Sequence, residues 1–303
     1  MKTDIYQRIT DQIVVAIAAG TVDYRMPWHR PHGTGAPANA ITGRAYRGIN
    51  TLLLWAEADR AGFSSGAWAT YRQWMQHGAQ VRKDEKSTLV ILWKPLNAST
   101  ADGDDPDERQ RGRMLARAFH VFNADQVDGY EATTTPLLPS SARIEQAEVF
   151  FQARPATVWD GSDTAFYDPR ADVVSMPSFK AFVSPEAYYS VMAHELCHWT
   201  GAKPRLDRDL AGRFGSEAYA MEELIAELGA AFTVGHLGLA CEPRTDHAPY
   251  IASWLRVLGN DPRAIITAAS RAQAAADYLI QLSVNAGNVT EQDGNPAQLA
   301  NAA

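Results

Sequence analysis

In the first twenty positions the apolar residues Ile5, Ile9, Ile13, Val14 and Ile17 recur every three to four places, with Asp4 placed as an N-cap and Gly20 as a stop. That period puts them on one stripe and predicts an amphipathic helix. Residues 24–40, rich in Pro and Gly, read as a loop. A second helix is expected over 46–61, entered near Asn50 or Thr51, with Leu52, Leu53, Leu54 and Trp55 on its buried face. An aromatic-rich helix follows over 67–77. The charged KDEKS at 83–87 then leads into apolar LVILW, which predicts a hairpin over 81–93 feeding a buried strand, with ARAFHV at 116–121 as partner. Between these strands, residues 97–113 are polar and acidic with no apolar period and read as a long loop.

A boundary comes next. TTTPLLPSSA at 133–142 is a linker by composition, and a new helix is expected over 144–154. Residues 172–177 read as a short strand, 188–199 as a helix with Pro185 and Glu186 in its first turn and Gly201 as its stop, and 218–235 as a further helix. The small, polar 285–303 is expected to fray. The predicted organisation is α+β in two domains, 1–130 and 144–284, joined by a linker at 131–143 and followed by a tail at 285–303.

Composition changes this picture little: 46% hydrophobic and 21% charged residues suit a globular chain. The N-terminus lacks the basic region and continuous apolar core of a signal peptide, and no stretch is apolar enough to span a membrane. Two cysteines, Cys197 and Cys241, do not make a disulfide framework, so a cytoplasmic, non-exported protein is expected. Charge is more informative. The net −7 divides into +2 for residues 1–130 (16 Lys and Arg against 14 Asp and Glu) and −9 for the remainder (12 against 21). Five of the first part's acids fall between Asp102 and Glu108, and without them it stands at +7.

The chemistry centres on His194-Glu195-Leu196-Cys197-His198. Two histidines four apart on a helix share a face and can hold one Zn²⁺, with Glu195 beside them to take a proton from a metal-activated water and pass it to the leaving group. Cys197 points to a different face, so a closed thiolate site is not expected. A catalytic site needs a third ligand, and 218–235 carries three carboxylates: Glu223 and Glu227 one turn apart on one face, and Glu222 about 100° away.

EELIAE at 222–227 resembles the second helix of the gluzincin peptidases. The resemblance implies that Glu223 is the third ligand and that Glu227 orients a metal-bound histidine. Tyr219, one turn earlier, could donate to an oxyanion, or be core. In gluzincins the strand before the histidine helix is an exposed edge that pairs with extended peptide, which implies that role for residues 172–177; an ordinary sheet strand is the alternative.

In the first part, aromatics and cations interleave: Arg25, Trp28, Arg30, Arg44, Arg47, Tyr71, Arg72, Arg82, Lys83 and Lys86 are candidates for binding single-stranded nucleic acid, where bases stack on aromatic rings beside a cationic groove. Trp28, in its Pro/Gly loop, is the best stacking candidate, whereas Trp55, Trp74 and Trp93 read as core. YQRITDQIVVAI, MPWHRP, YRGINTLLLW, VRKDEKST, VMAHELCHWTGAKPRL and the segment 250–279 together resemble the ArdC-type antirestriction proteins of conjugative plasmids. That resemblance spans nearly the whole chain. It implies an N-terminal single-stranded-DNA-binding domain, a C-terminal zincin-like domain, and protection of incoming plasmid DNA from host restriction enzymes. One departure stands out: relatives typically carry glycine where this chain has Asp84.

Alternatives remain at this stage. A peptidase could use the basic domain to recruit a protein substrate, a restriction enzyme among the candidates, or a DNA-coating protein could carry a purely structural metal. Imidazole and carboxylate accept Zn²⁺, Mn²⁺ or another divalent ion.

Overall fold

The computed structural model describes residues 5–20, 26–29, 35–95, 114–131, 139–210, 212–213, 215–241 and 248–293. The acidic segment 97–113 and most of the linker, 132–138, lie outside them.

Helix α1 (Ile5–Gly20) buries Ile9, Thr10, Ile13 and Ile17, as its period requires. Each isoleucine so buried contributes about 1.5–3 kcal/mol. Helix α2 (Ile49–Ala61) starts later than expected, because Thr51 Oγ1 turns back to the Tyr46 carbonyl and Gly48 forms the cap. It ends at Gly62, whose φ of 70° suits a residue without a Cβ.

Residues 67–77 are not one helix. Ala67–Ala69 is strand β2, pairing parallel with β1 (Ala38–Asn39) and antiparallel with β5 (Met114–Asn123), and only Tyr71–Gln76 is helical (α3). Thr70 makes the division. Its hydroxyl accepts from Gln73 N while the Gln73 side chain reaches back to the Thr70 N–H, a capping box that starts a helix there and leaves the preceding residues extended.

The expected hairpin over 81–93 is also corrected. Strand β3 (Gln80–Val81) pairs with β6 (Val127–Asp128), whereas β4 (Thr88–Pro95) pairs along its length with β5, from Thr88 opposite Val121 to Pro95 opposite Met114. The charged segment therefore links two sheets. Gln126 fixes it through Nε2 to the Lys86 carbonyl and Glu85 Oε2, and the chain turns at Asp84, with φ 66°. A left-handed residue at that position explains why glycine suits it, and aspartate is among the few others that tolerate it.

The second half opens with α4 (Ser140–Gln152), which begins directly after Pro139 and so takes in the last residues of the expected linker. Strands β7 (Thr157–Asp160), β8 (Phe166–Asp168) and β9 (Val173–Met176) form a sheet in the order β7-β9-β8. Strand β9 is thus central, with β7 parallel on one side and β8 antiparallel on the other, and has no open edge for a peptide. The outer edges belong to β7 and β8. Among the described residues four helices follow: α5 (Pro185–Thr200), α6 (Glu217–His236), α7 (Ala248–Asn260) and α8 (Ala264–Asp293). Helix α8 runs well past residue 285, so the expected tail is helical as far as Asp293.

The two halves share a core. Ile9, Ile13, Leu52 and Leu53 join Leu224, Leu228, Ile265 and Ala272 in one apolar cluster, Trp28 packs 6.2 Å from Trp254, and Thr10 Oγ1 donates to the Pro262 carbonyl at 2.7 Å. Among the described residues no helix is long and apolar enough to cross a membrane.

Helices α5 and α6 pack tightly at Gly229, where an added Cβ would lie 2.4 Å from Cys197 Sγ. Gly229→Ala would gain about 1 kcal/mol of helix propensity, but overpacking costs about 1–3 kcal/mol and should prevail. Thermal melting should show a net loss of stability that Cys197→Ala, in the same chain, largely reverses.

Candidate metal centre

Ser184 starts α5 by accepting from Ala187 N at 3.0 Å, and Pro185 occupies the first turn, where its missing N–H costs nothing. The helix carries His194 and His198 on one face, with their Nε2 atoms 3.2 Å apart. Ser216 caps α6 by accepting from Tyr219 N, and that helix brings Glu223 to the same point. Glu223 Oε2 is 3.6 Å from His194 Nε2, and Oε1 is 3.7 Å from His198 Nε2. Ligands about 2.05 Å from a tetrahedral ion stand roughly 3.3 Å from one another, so the three groups fit a divalent metal. His194, His198 and Glu223 offer one ligand atom each within a 4.8 Å cluster. Burial would raise the Glu223 carboxyl, but His194, His198 and Tyr219 outweigh it and hold it down at about 2, ionised throughout the neutral range.

The outer nitrogens decide which tautomer each ring adopts. His198 Nδ1 lies 3.2 Å from Glu222 Oε1, and His194 Nδ1 lies 3.5 Å from Glu227 Oε2. A carboxylate at each Nδ1 favours its proton there and leaves the Nε2 lone pairs directed inward. Two inward lone pairs and a carboxylate repel one another unless a cation stands between them. Glu222 is itself held by Arg208, which donates from Nη2 to Oε1 at 2.8 Å and from Nε to Oε2 at 3.1 Å, and whose Nη2 also reaches the Cys197 carbonyl at 2.7 Å. Burial raises the Glu222 carboxyl, but His198 and Arg208 more than offset it and keep it low.

Glu195, buried, lines the same cavity of about 260 Å³ as His194, His198 and Glu223, together with Phe166 and Tyr167 of β8. Half-buried Tyr219 also lines it, its hydroxyl 3.2 Å from that of Tyr250. Burial above all, then Tyr250 and Glu223, raises the Tyr219 phenol, so it stays a donor. Cys197 faces away from the cavity, with Sγ 3.6 Å from the Ile225 carbonyl and its thiol pushed up to about 12 by burial.

Comparison with known proteins gives this site a context. The model of the N-terminal domain of anti-restriction factor ArdC matches residues 3–122, and that of a zincin-like metallopeptidase matches 145–271. The crystal structure of the antirestriction ArdC protein from plasmid R388, in its Mn(II)-bound form, is 37% identical and superposes with a TM-score of 0.76, covering 93% of this chain and 99% of that one. This chain belongs to the ArdC family. Two further relatives widen the picture. "Uncharacterized protein y4eC" of Sinorhizobium fredii is 50% identical to this ArdC-family chain over 91% of it and 92% of that protein. A DNA primase TraC of Escherichia coli is 35% identical over 98% of the chain, which corresponds to only 29% of the primase.

In this ArdC-family protein the basic candidates separate. Arg44, Arg72, Lys83 and Lys86 are exposed and form no ion pair among the described residues, and Tyr71 is 43% exposed. Helix α3 joins them: Asn39 Nδ2 of the Arg44 turn donates to Gln73 Oε1 at 3.3 Å, and Gln80 Nε2, leading into the Lys83–Lys86 turn, donates to Tyr71 Oη at 3.2 Å. Arg47 instead pairs with Asp277, and Arg82 with Glu85, Asp128 and the Asp125 carbonyl. Arg25 and Arg30 lie outside the described residues.

Trp28 corrects the sequence reading. It is 1% exposed and offers no ring face to a base; its indole N–H donates to Glu227 Oε1 at 3.2 Å. A Pro/Gly loop suggested exposure, but the long-range contact with α6 has no local signature. Trp55 and Trp74 are buried and Trp93 half-buried, as expected. The structure also adds Glu222, Arg208, Trp28 and His29 around the site. For Glu222 the signal was its neighbour Glu223; the others had none.

Proposed function

We propose that this protein is an antirestriction factor that binds single-stranded DNA through the α3 surface and carries a metal-dependent, peptidase-type centre on α5 and α6. The observation that carries this reading is the near full-length likeness to the R388 protein, joined to a ligand set that fits a divalent ion. His194, His198 and Glu223 would hold the ion, Mn²⁺ or Zn²⁺, which when bound activates water and polarises a carbonyl.

The chain's own residues supply the rest. Glu195 sits in the cavity as general base and then acid, Glu227 and Glu222 hold the imidazoles in the tautomer that presents Nε2, and Tyr219 donates a hydrogen bond to a developing oxyanion. The open edge of β8, whose Phe166 and Tyr167 line the cavity, can pair with an extended peptide.

Binding of oligonucleotides across a salt series tests the DNA side. Four unpaired cations predict a log–log salt slope of roughly −3 for single strands, and Lys83→Ala with Lys86→Ala should reduce its size by about 1.4. Tyr71→Ala should cost about 1–3 kcal/mol of stacking. Equal affinity for duplex would remove the single-strand preference, and a flat salt response for single strands would remove the DNA-binding reading.

A further inference from the structure

Glu227 is the meeting point of two parts of the chain that lie some 200 positions apart. On one side its Oε2 faces His194 Nδ1 at 3.5 Å. On the other, its Oε1 takes His29 Nε2 at 2.7 Å and Trp28 Nε1 at 3.2 Å. All of these groups are buried, His29 at 2% exposure. The backbone N–H of Met26 donates to His29 Nδ1 at 3.0 Å, which makes Nδ1 the acceptor. In the neutral ring the proton must then sit on Nε2 and point at Glu227. Two N–H donors therefore converge on Oε1 and satisfy it, and Oε2 is the oxygen turned toward His194 Nδ1, 3.5 Å away.

We propose that Trp28 and His29 are positioning residues of the metal centre: by fixing Glu227 they hold His194 in the tautomer and orientation that bind the ion. The inference rests on the metal-centre reading above. The first part of the chain then does more than present a DNA surface, because the loop that carries these residues completes the shell around the metal. Partners that orient a metal-bound histidine typically change metal affinity by about 10–100-fold when removed.

The test titrates Mn²⁺ or Zn²⁺ into the full chain by calorimetry and follows melting of the metal-free protein. Trp28→Phe removes one N–H while keeping an aromatic ring, and His29→Ala removes the other. Each should weaken metal binding roughly 3–10-fold, less than the ~10–100-fold expected on losing Glu227 itself, with His29→Gln restoring most of it, since its amide N–H can reach Glu227. In a Glu227→Ala background the His29 substitution should have no further effect on affinity, which a purely structural role would not produce. Trp28→Phe or His29→Ala protein that melts normally and binds metal within 2-fold of wild type would overturn the proposal. Should His29→Ala fail to fold, Trp28→Phe alone decides the question. A wild-type chain that binds no metal would defeat the metal-centre reading instead, so the two failures are distinct.

Discussion

Replacing His198 with alanine is expected to abolish tight metal binding while leaving the fold standing. The ion would lose one of three protein ligands. If the full set contributes about 10 kcal/mol or more, as structural zinc sites do, a third of it is roughly 3 kcal/mol, or a loss of two to three orders of magnitude in affinity. The fold should survive because Glu222, which faces His198 Nδ1, keeps both of its bonds from Arg208 and is not stranded as a buried charge. Calorimetric titration gives the affinity directly. Melting gives an independent reading: ligand at a thousandfold excess over Kd stabilises by about 4 kcal/mol, and that metal-dependent rise should vanish in His198→Ala.

Glu195→Gln should have the opposite signature. Glu195 is not among the three clustered ligands, so metal affinity should stay near wild type. Glutamine keeps the size of the side chain but cannot take up the proton, and general-base catalysis of this kind contributes about 10²–10⁴-fold. Cleavage of unstructured peptides, scored by mass spectrometry, should therefore fall by that factor at unchanged metal content. A variant that cleaves like wild type would exclude Glu195 as the base.

The site was more legible than its surroundings. His194, Glu195 and His198 follow from helical spacing once a metal is supposed, because four residues apart on a helix means one face. Spacing left three carboxylates on the next helix, and it was the resemblance of EELIAE to the gluzincin second helix that singled out Glu223. The strand LVILW and its partner were equally clear from their apolar runs. What failed was whatever depends on contacts distant in sequence. Trp28 reads as a loop aromatic until α6 is packed against it, and the pairing of β3 with β6 rather than β4 is set by Gln126, some forty positions away. Thr70 is a different case. Its capping box with Gln73 was readable locally and passed over because the aromatics at 68, 71 and 74 imitate a helical stripe.

The shared core matters for how the two halves act. With α1 packed against the C-terminal helices and Trp28 and His29 against Glu227, the halves are not independent modules on a string.

The central claim is protection of DNA that enters as a single strand. It is tested most directly by counting plasmid-bearing recipients of a restricting host, with and without this protein, after conjugative transfer and after electroporation of duplex plasmid. The account predicts that the protein raises recovery by the conjugative route and leaves the duplex route unchanged. No rise by conjugation, or an equal rise by both routes, would contradict it.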